Sequence, residues 1–302
     1  MNKSDRPRRE VVDGLLLLNK PAGLSSNQAL QKVKWLLKAK KAGHTGSLDP
    51  AATGMLPLCF GEATKVCPYL LNADKTYRVS ASLGTSTDTG DADGKEIGRA
   101  EVPQLGADQW NEILQGFVGE TEQVPPMYSA LKKDGKRLYE LARKGVTVER
   151  EARPIRIDTI ELLESAGKRL VFRVACSKGT YIRVLVEDIA KAAGTVAHTS
   201  HLHRELVGDF AGGDMLELSA LEAAAEEGPD PVRKLLQAPD VALTGYPAVS
   251  VSRDAADRCQ SGMPGPADSE GLEGLVRVYD SQARFLGLGE VEKGGSVAPK
   301  RV

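Results

Sequence analysis

The apolar runs of this chain are short. Leu15–Leu18 is broken by Pro21 and Gly23, and Met55–Phe60 is of similar length. A bilayer span needs about 20 apolar residues, so runs this short predict buried strands rather than membrane helices. Thr76–Leu83 alternates and carries Tyr77 and Val79, which predicts a further strand. Ile155–Leu163 and Leu170–Cys176 read as a strand hairpin. Leu275–Tyr279 and Phe285–Val291, around an Asp-Ser-Gln turn, predict a small β domain. Helical spacing is confined to three segments. In Asn27–Ala39, Leu30, Val33 and Leu37 form the stripe, preceded by a Ser25/Gln28 capping box. Asp108–Phe117 is the second helix. Tyr181–Ala193, with Val184, Leu185 and Ile189, is the third. Thr85–Gly94 reads as a polar turn, Val124-Pro125-Pro126 as a break, and Gly245-Tyr246-Pro247 as a domain boundary.

A chain of 302 residues is long enough for one large domain plus a small one. Its core needs no disulfide or metal to hold together. Cys59, Cys67, Cys176 and Cys259 form no Cys-x-x-Cys pair and read as free thiols in a reducing compartment. The basic start (Lys3, Arg6, Arg8, Arg9) followed by VVDGLLLL is no signal peptide, because Asp13 interrupts the run and no small-residue cleavage site follows. A cytoplasmic protein is expected. Net charge is −1, but the charge is unevenly spread. From Lys132 to Arg156 nine basic residues face four acids, whereas from Glu217 to Asp240 six acids face Arg233 and Lys234. A local basic patch can neutralise phosphates in a neutral protein, but on charge alone two solvated helix faces are the favoured reading.

The strongest candidate for chemistry is Asp49. Pro50 restrains it to extended geometry, and Gly43, Gly46 and Gly54 surround it, so the backbone can take unusual angles and a ligand can come close. A turn in which Asp49 bonds its own backbone fits these features as well as catalysis does. The local context leaves both open.

The longer string GHTGSLDPAATGMLPLCFGEATK (43–65) resembles the signature of the TruB family of tRNA pseudouridine synthases. The resemblance continues through NKPAGLSSNQALQKVK (19–34), KTYRV (75–79), MYSALKKDGKRLYELAR (127–143), CSKGTYIR (176–183) and HLHREL (201–206). It implies an enzyme that cleaves the glycosidic bond of a uridine in tRNA, turns the base and rejoins it through carbon to the same sugar. By resemblance the substrate is the T-arm uridine at position 55. The matching position makes Asp49 the nucleophile, a role that suits a carboxylate able to form an adduct and leave again. Arg183 is implied as the partner that keeps Asp49 ionised and fixes its direction. Tyr77 is implied to stack on the base and to accept a proton. His44 is implied to contact the flipped nucleotide, and Tyr181 and Leu202 to line the uridine pocket. Lys20 and Pro21 match a motif read as packing beneath the site. The segment 124–153, with Lys132, Lys133, Lys136, Arg137, Arg143 and Arg153, matches an insertion that grips the tRNA arm.

The fold implied is α+β: a mixed, mainly antiparallel sheet flanked by helices, with the RNA-binding insertion and a small PUA-like β domain. The expected boundaries are a disordered basic tail over 1–10, a catalytic domain over 11–245 and the C-terminal domain over 246–302. No Walker motif or dinucleotide fingerprint is present, and the reaction has no redox change, so no cofactor is expected. A monomer without a protein partner is the expectation. Three other readings compete. His198, His201 and His203 fall within six residues, a spacing that can bind zinc, but no fourth ligand is evident and no metal is expected. Asp91, Asp93 and Gly94 fit part of a calcium loop, yet that register puts Ala100 where the bidentate glutamate belongs. The third is a non-catalytic RNA-binding or tRNA-folding protein, which Asp49→Asn would separate from an enzyme.

Overall fold

A computed structural model describes residues 9–301 apart from 134, 211 and 293. Residues 1–8 of the expected tail, and Asp134 of the basic segment, lie outside the described residues.

The chain opens with β1 (Gly14–Lys20), α1 (Ser26–Leu36), β2 (Ala42–His44), β3 (Thr53–Phe60) and α2 (Cys67–Asn72). Next come β4 (Lys75–Leu83), β5 (Thr85–Thr87), β6 (Glu96–Arg99), α3 (Ala107–Gln115) and β7 (Gly119–Gln123). The basic segment holds β8 (Lys132–Lys133), β9 (Lys136–Arg137) and α4 (Leu138–Ala142). It is followed by β10 (Arg153–Ala166), β11 (Arg169–Cys176), α5 (Ile182–Ala192) and β12 (Ala197–Val207). Then come β13 (Leu216–Glu217), α6 (Leu218–Ala224) and α7 (Pro229–Arg233). The remainder is β14 (Ala248–Ser250), α8 (Arg253–Gln260), β15 (Gly265–Pro266), β16 (Gly274–Tyr279), β17 (Phe285–Glu292) and β18 (Ser296–Arg301).

The main sheet has nine strands in the order β13-β1-β3-β12-β4-β11-β10-β7, with β2 paired to β3 off that path. Its pairs are antiparallel except β1/β13 and β3/β12. The continuous leucines of β1 are explained by burial on both faces. Leu16 and Leu18 pack with α1, while Leu15 and Leu17 pack with Leu243 and Leu288 on the opposite side. The alternation of β4 sends Tyr77, Val79, Ala81 and Leu83 into a core shared with Trp110 and Leu114 of α3 and Leu185 and Ile189 of α5.

The capping box forms as expected, with Gln28 N–H donating to Ser25 Oγ and Ser25 N–H donating to Gln28 Oε1. α1 is shorter than its apolar stripe. Leu37 is buried, but Lys38 turns to a φ of +51°, and the N–H groups of Lys38 and Ala39 cap Trp35 and Lys34 carbonyls. The segment read as a polar turn, Thr85–Gly94, begins instead with a strand. β5 pairs with β6, and the turn proper is Asp88–Gly94. Its Thr-Ser-Thr sequence carries no apolar alternation that could reveal it.

The C-terminal segment forms a separate five-stranded sheet, β14-β16-β17-β18-β15, around Val249, Val251, Val276, Val278 and Val297. Phe285 and Leu288 also pack with Leu15, Leu17 and Leu243 of the main body. Among the described residues no helix is long and apolar enough to cross a membrane.

Candidate active site

The loop between β2 and β3 carries Asp49 and is fastened at four points. Ser26 Oγ accepts from Leu48 N–H at 2.7 Å and donates to Leu48 O at 3.1 Å. Gly23 N–H donates to Pro50 O at 2.8 Å, and Lys20 Nζ donates to the same oxygen at 3.2 Å. Arg204 Nη2 donates to Gly46 O at 3.1 Å, and its Nε donates to Met55 O at 2.7 Å. Two glycines are required here. Gly46 has a φ of +84° and Gly54 a φ of +101°, and a Cβ on Gly54 would collide with the Arg204 backbone oxygen.

These bonds leave the Asp49 carboxylate pointing into a cleft lined by Ala51, Ala52, Asp91, Arg183, His201 and Leu202. Arg183 Nε lies 3.0 Å from Asp49 Oδ2. The arginine side chain is 7% exposed and the aspartate 44%. Arg183 sits in the first turn of α5, where the helix dipole disfavours a cation that has no partner. It has several. Nη1 donates to Thr89 O at 2.6 Å and lies 3.7 Å from Asp91 Oδ2, and Nη2 donates to Tyr128 O at 2.7 Å. One buried guanidinium thus joins Asp49, the Asp88–Gly94 turn and the root of the basic insertion.

Burial pushes the Asp49 carboxyl above the usual range, and the Arg183 charge works against that shift. Lys20 is fully buried and bonds the carbonyls of Pro21, Leu24 and Pro50, with its ammonium pushed down to about 8 by desolvation. Through Pro50 O it contacts the loop, and through Pro21 O the turn that follows β1. Tyr77 is 9% exposed; burial raises its phenol, and the nearby Arg204 charge works against that shift. His44 is held low by burial, and its Nδ1 is buried without a hydrogen-bond partner among the described residues. Tyr181 is anchored through its backbone, because Gln123 accepts from its N–H at 2.7 Å and donates to its carbonyl at 3.1 Å. Leu202 lines the cleft and packs on the core beneath it.

The basic insertion is a short hairpin and one helical turn, and none of its basic residues lines this cleft. Lys132, Lys133, Lys136, Arg137, Arg143 and Arg153 are all exposed, and none is in an ion pair among the described residues. The guanidinium groups of Arg137 and Arg143 lie 6.0 and 5.5 Å from the Tyr139 ring. The acidic segment behaves differently. Glu222 pairs with Lys32 of α1 at 3.4 Å, and Arg233 with Glu10 at 2.8 Å.

The histidine cluster disperses. His198 Nδ1 bonds Thr85 O at 2.9 Å, His203 Nδ1 bonds Thr53 Oγ1 at 2.8 Å, and His201 faces the cleft. Among the described residues no group of histidines, cysteines and carboxylates is placed to hold a metal. The calcium-loop reading also fails. Asp91 Oδ1 accepts from Thr89 Oγ1 at 2.5 Å and from Asp93 N–H at 3.2 Å, and its other oxygen faces Arg183. A larger groove, about 810 Å³ between α1 and α6, is lined by Trp35, Leu36 and Glu222 and contains none of the residues gathered around Asp49.

Comparison with known proteins agrees with this geometry. Residues 34–182 match the TruB family pseudouridylate synthase N-terminal domain, and residues 247–302 match the pseudouridine synthase II TruB C-terminal domain. The chain belongs to the TruB family of pseudouridylate synthases. It is 50% identical over 295 residues to tRNA pseudouridine synthase B of Ectopseudomonas mendocina, covering 97% of this chain and 96% of that one. It is 46% identical over 302 residues to the protein of the same name from Nitrosococcus oceani, covering 100% and 98%. Among solved structures, a Cbf5-Nop10-Gar1 complex aligns with a TM-score of 0.72 at 26% identity, covering 96% of this chain and 84% of that one. An archaeal box H/ACA Nop10-Cbf5 complex aligns with a TM-score of 0.70 at 23% identity, covering 99% and 88%, and shares the fold.

Three charged residues gathered near Asp49 are not assigned to the site by the sequence. Asp91 reads there as part of an acidic turn. Arg204 is indistinct within HLHREL and Lys75 within KTYRV, although both side chains are buried. Their one sequence signal is a charge set in a stretch otherwise read as strand, and solvated strand faces give the same signal.

Proposed function

We propose that this chain isomerises uridine to pseudouridine in tRNA, at the T-arm position 55, with Asp49 as the nucleophile. The observation that carries the reading is the pairing of a nearly buried Arg183 with a half-exposed Asp49 at 3.0 Å. A salt bridge used only for stability has no need to leave its carboxylate open to a cleft. The relatives named tRNA pseudouridine synthase B, aligned over 97% of the chain, support the same substrate class.

The reaction is an isomerisation, so it needs no co-reactant. The N1–C1′ bond of the uridine breaks, the uracil turns, C5 bonds to C1′, C5 gives up its proton and N1 takes one up. Asp49 serves as nucleophile and is regenerated. Arg183 keeps it ionised and aimed. Tyr77 offers a ring for the base and an oxygen for a proton, Tyr181 and Leu202 form walls, and His44 contacts the nucleotide. Extruding a base from a folded loop costs a few kcal/mol, which stacking in the pocket and phosphate contacts must offset. The exposed cations of segment 124–153 are suited to the phosphate contacts. Residues 11–245 form the catalytic unit and 246–302 the small PUA-like domain.

The test uses unmodified tRNA transcripts, with pseudouridine mapped by carbodiimide modification and primer extension. Wild-type protein is expected to give one stop at position 55. Asp49→Asn is expected to give none while binding the transcript with nearly unchanged affinity. Turnover of that variant near the wild-type rate would remove Asp49 from the chemistry, and a stop elsewhere would remove the T arm.

A further inference from the structure

We propose that Arg204 is a positioning residue for this chemistry: its guanidinium ties the two ends of the Asp49 loop together. The inference rests on the reading of Asp49 as nucleophile. Arg204 lies on β12 and is 1% exposed. Its two bonded carbonyls, Gly46 O and Met55 O, stand on either side of Asp49, so one rigid fork sets the width of the loop's mouth. Its own backbone is wedged against the far end of the loop, where Gly54 leaves no room for a Cβ. At the near end, a Cβ on Gly46 would come within 3.6 Å of Nη1.

Arg204 is also the register partner of Tyr77 in the β12/β4 pair, so the residue that holds the loop sits beside the tyrosine of the site.

No carboxylate pairs with Arg204 among the described residues, and its charged neighbours Lys20, Lys75 and His44 would add to its charge if protonated. A buried cation without an anion is a costly way to stabilise a fold, and an apolar side chain of similar volume would do it better. Its placement makes sense as geometry for the loop.

The experiment measures single-turnover pseudouridine formation at saturating full-length enzyme on a tRNA transcript, alongside filter-binding affinity. The variants are Arg204→Lys and Arg204→Gln. Arg204→Lys keeps the charge but cannot span both carbonyls. It is expected to lower the rate constant by about 100-fold, at full amplitude, while the tRNA Kd stays within about threefold. Arg204→Gln is expected to be slower still. A merely structural Arg204 would instead lower the amplitude, through a smaller folded fraction, and leave the rate constant unchanged. That result would overturn the proposal, and so would a Kd that weakens in step with the rate. Asp49→Asn run in parallel separates the two claims. An inactive Asp49→Asn with a fast Arg204→Lys removes the positioning role alone, whereas an active Asp49→Asn removes the nucleophile on which it depends.

Discussion

Replacing Arg183 with methionine tests how much of the site rests on one charge. At 3.0 Å the attraction between Arg183 and Asp49 is about 1.4 kcal/mol at the dielectric of water and about 5.5 kcal/mol at an effective value of 20. The aspartate side chain is 44% exposed, so solvent screening draws the figure toward the lower limit, to about 2 kcal/mol. That alone is about a 30-fold loss in the rate of chemistry. Removing the bonds to Thr89 O and Tyr128 O adds to it by letting the turn and the insertion root move. The expected result is therefore a single-turnover rate constant at least about 30-fold below wild type at pH 7.5, with transcript affinity little changed. Arg183→Lys should fall between, because a point charge can meet one carboxylate but cannot hold the fork. The sign of the pH effect follows from the causes of the Asp49 shift. Burial and the charges of Asp91 and Asp93 raise its pKa, while Arg183 and Lys20 lower it. Without Arg183 the carboxylate ionises at higher pH, and the nucleophile must be ionised. The activity of Arg183→Met should thus rise with pH across a range where wild type is already flat, and the deficit should shrink from pH 6 to pH 8.5. A deficit below threefold, or one that does not change with pH, would refute the electrostatic account.

The pH dependence of stability offers a second check. Lys20 and Lys75 are each held at about 8 against an ordinary 10.5, so between those values the unfolded chain binds more protons and their contribution to stability rises with pH. Urea unfolding of wild type, Lys20→Met and Lys75→Met from pH 7.5 to 10 should show the wild type gaining on each variant as pH rises, and parallel curves would contradict the assignment. Gly54→Ala, with a φ of +101° and a backbone oxygen in the path of the new Cβ, should cost about 2 kcal/mol or more, read as a fall in the urea midpoint. In the insertion, Lys133→Ala/Arg137→Ala/Arg143→Ala should weaken transcript binding and flatten its salt dependence by up to about one power of salt for each phosphate no longer neutralised, read by filter binding between 50 and 200 mM salt. An unchanged salt slope would mean that these side chains do not meet the RNA.

The elements that sequence exposed most clearly are those whose burial is symmetric or strictly alternating. β1 needed apolar residues on both faces and has them, and the alternation of β4 marks its buried face directly. The capping box fixed the start of α1, because both of its bonds are local. The end of α1 is harder to read, since Leu37 is needed by the core and continues the helical stripe after the backbone has turned at Lys38. β5 is hidden for the opposite reason, having only hydroxyl side chains. In the site, the motif blocks lead to Asp49, Arg183 and Tyr77, yet nothing local separates a catalytic Asp49 from a turn. Arg204 stays invisible because its partners are backbone carbonyls brought together by the sheet order, and Lys75 because its partners are the carbonyls of Leu70, Leu71 and Ala73 just before it; a carbonyl carries no residue identity.

Those carbonyls also decide the charge of the site. Lys20, Lys75 and Arg204 are buried and bonded to backbone carbonyls, and the nearby carboxylates Asp49 and Asp91 both face Arg183. Carbonyl dipoles satisfy the hydrogen-bonding capacity of such cations without neutralising them. A carboxylate partner would have stabilised each of them more, but it would also have added negative charge beside Asp49, raised its pKa further and repelled an incoming phosphate. Cations held by carbonyls orient the loop and leave the local field positive. The stability forgone is carried by the leucine-rich core on both faces of β1, away from the chemistry, where an exchange of one apolar residue for another of similar volume should alter unfolding without altering the rate constant of the folded enzyme.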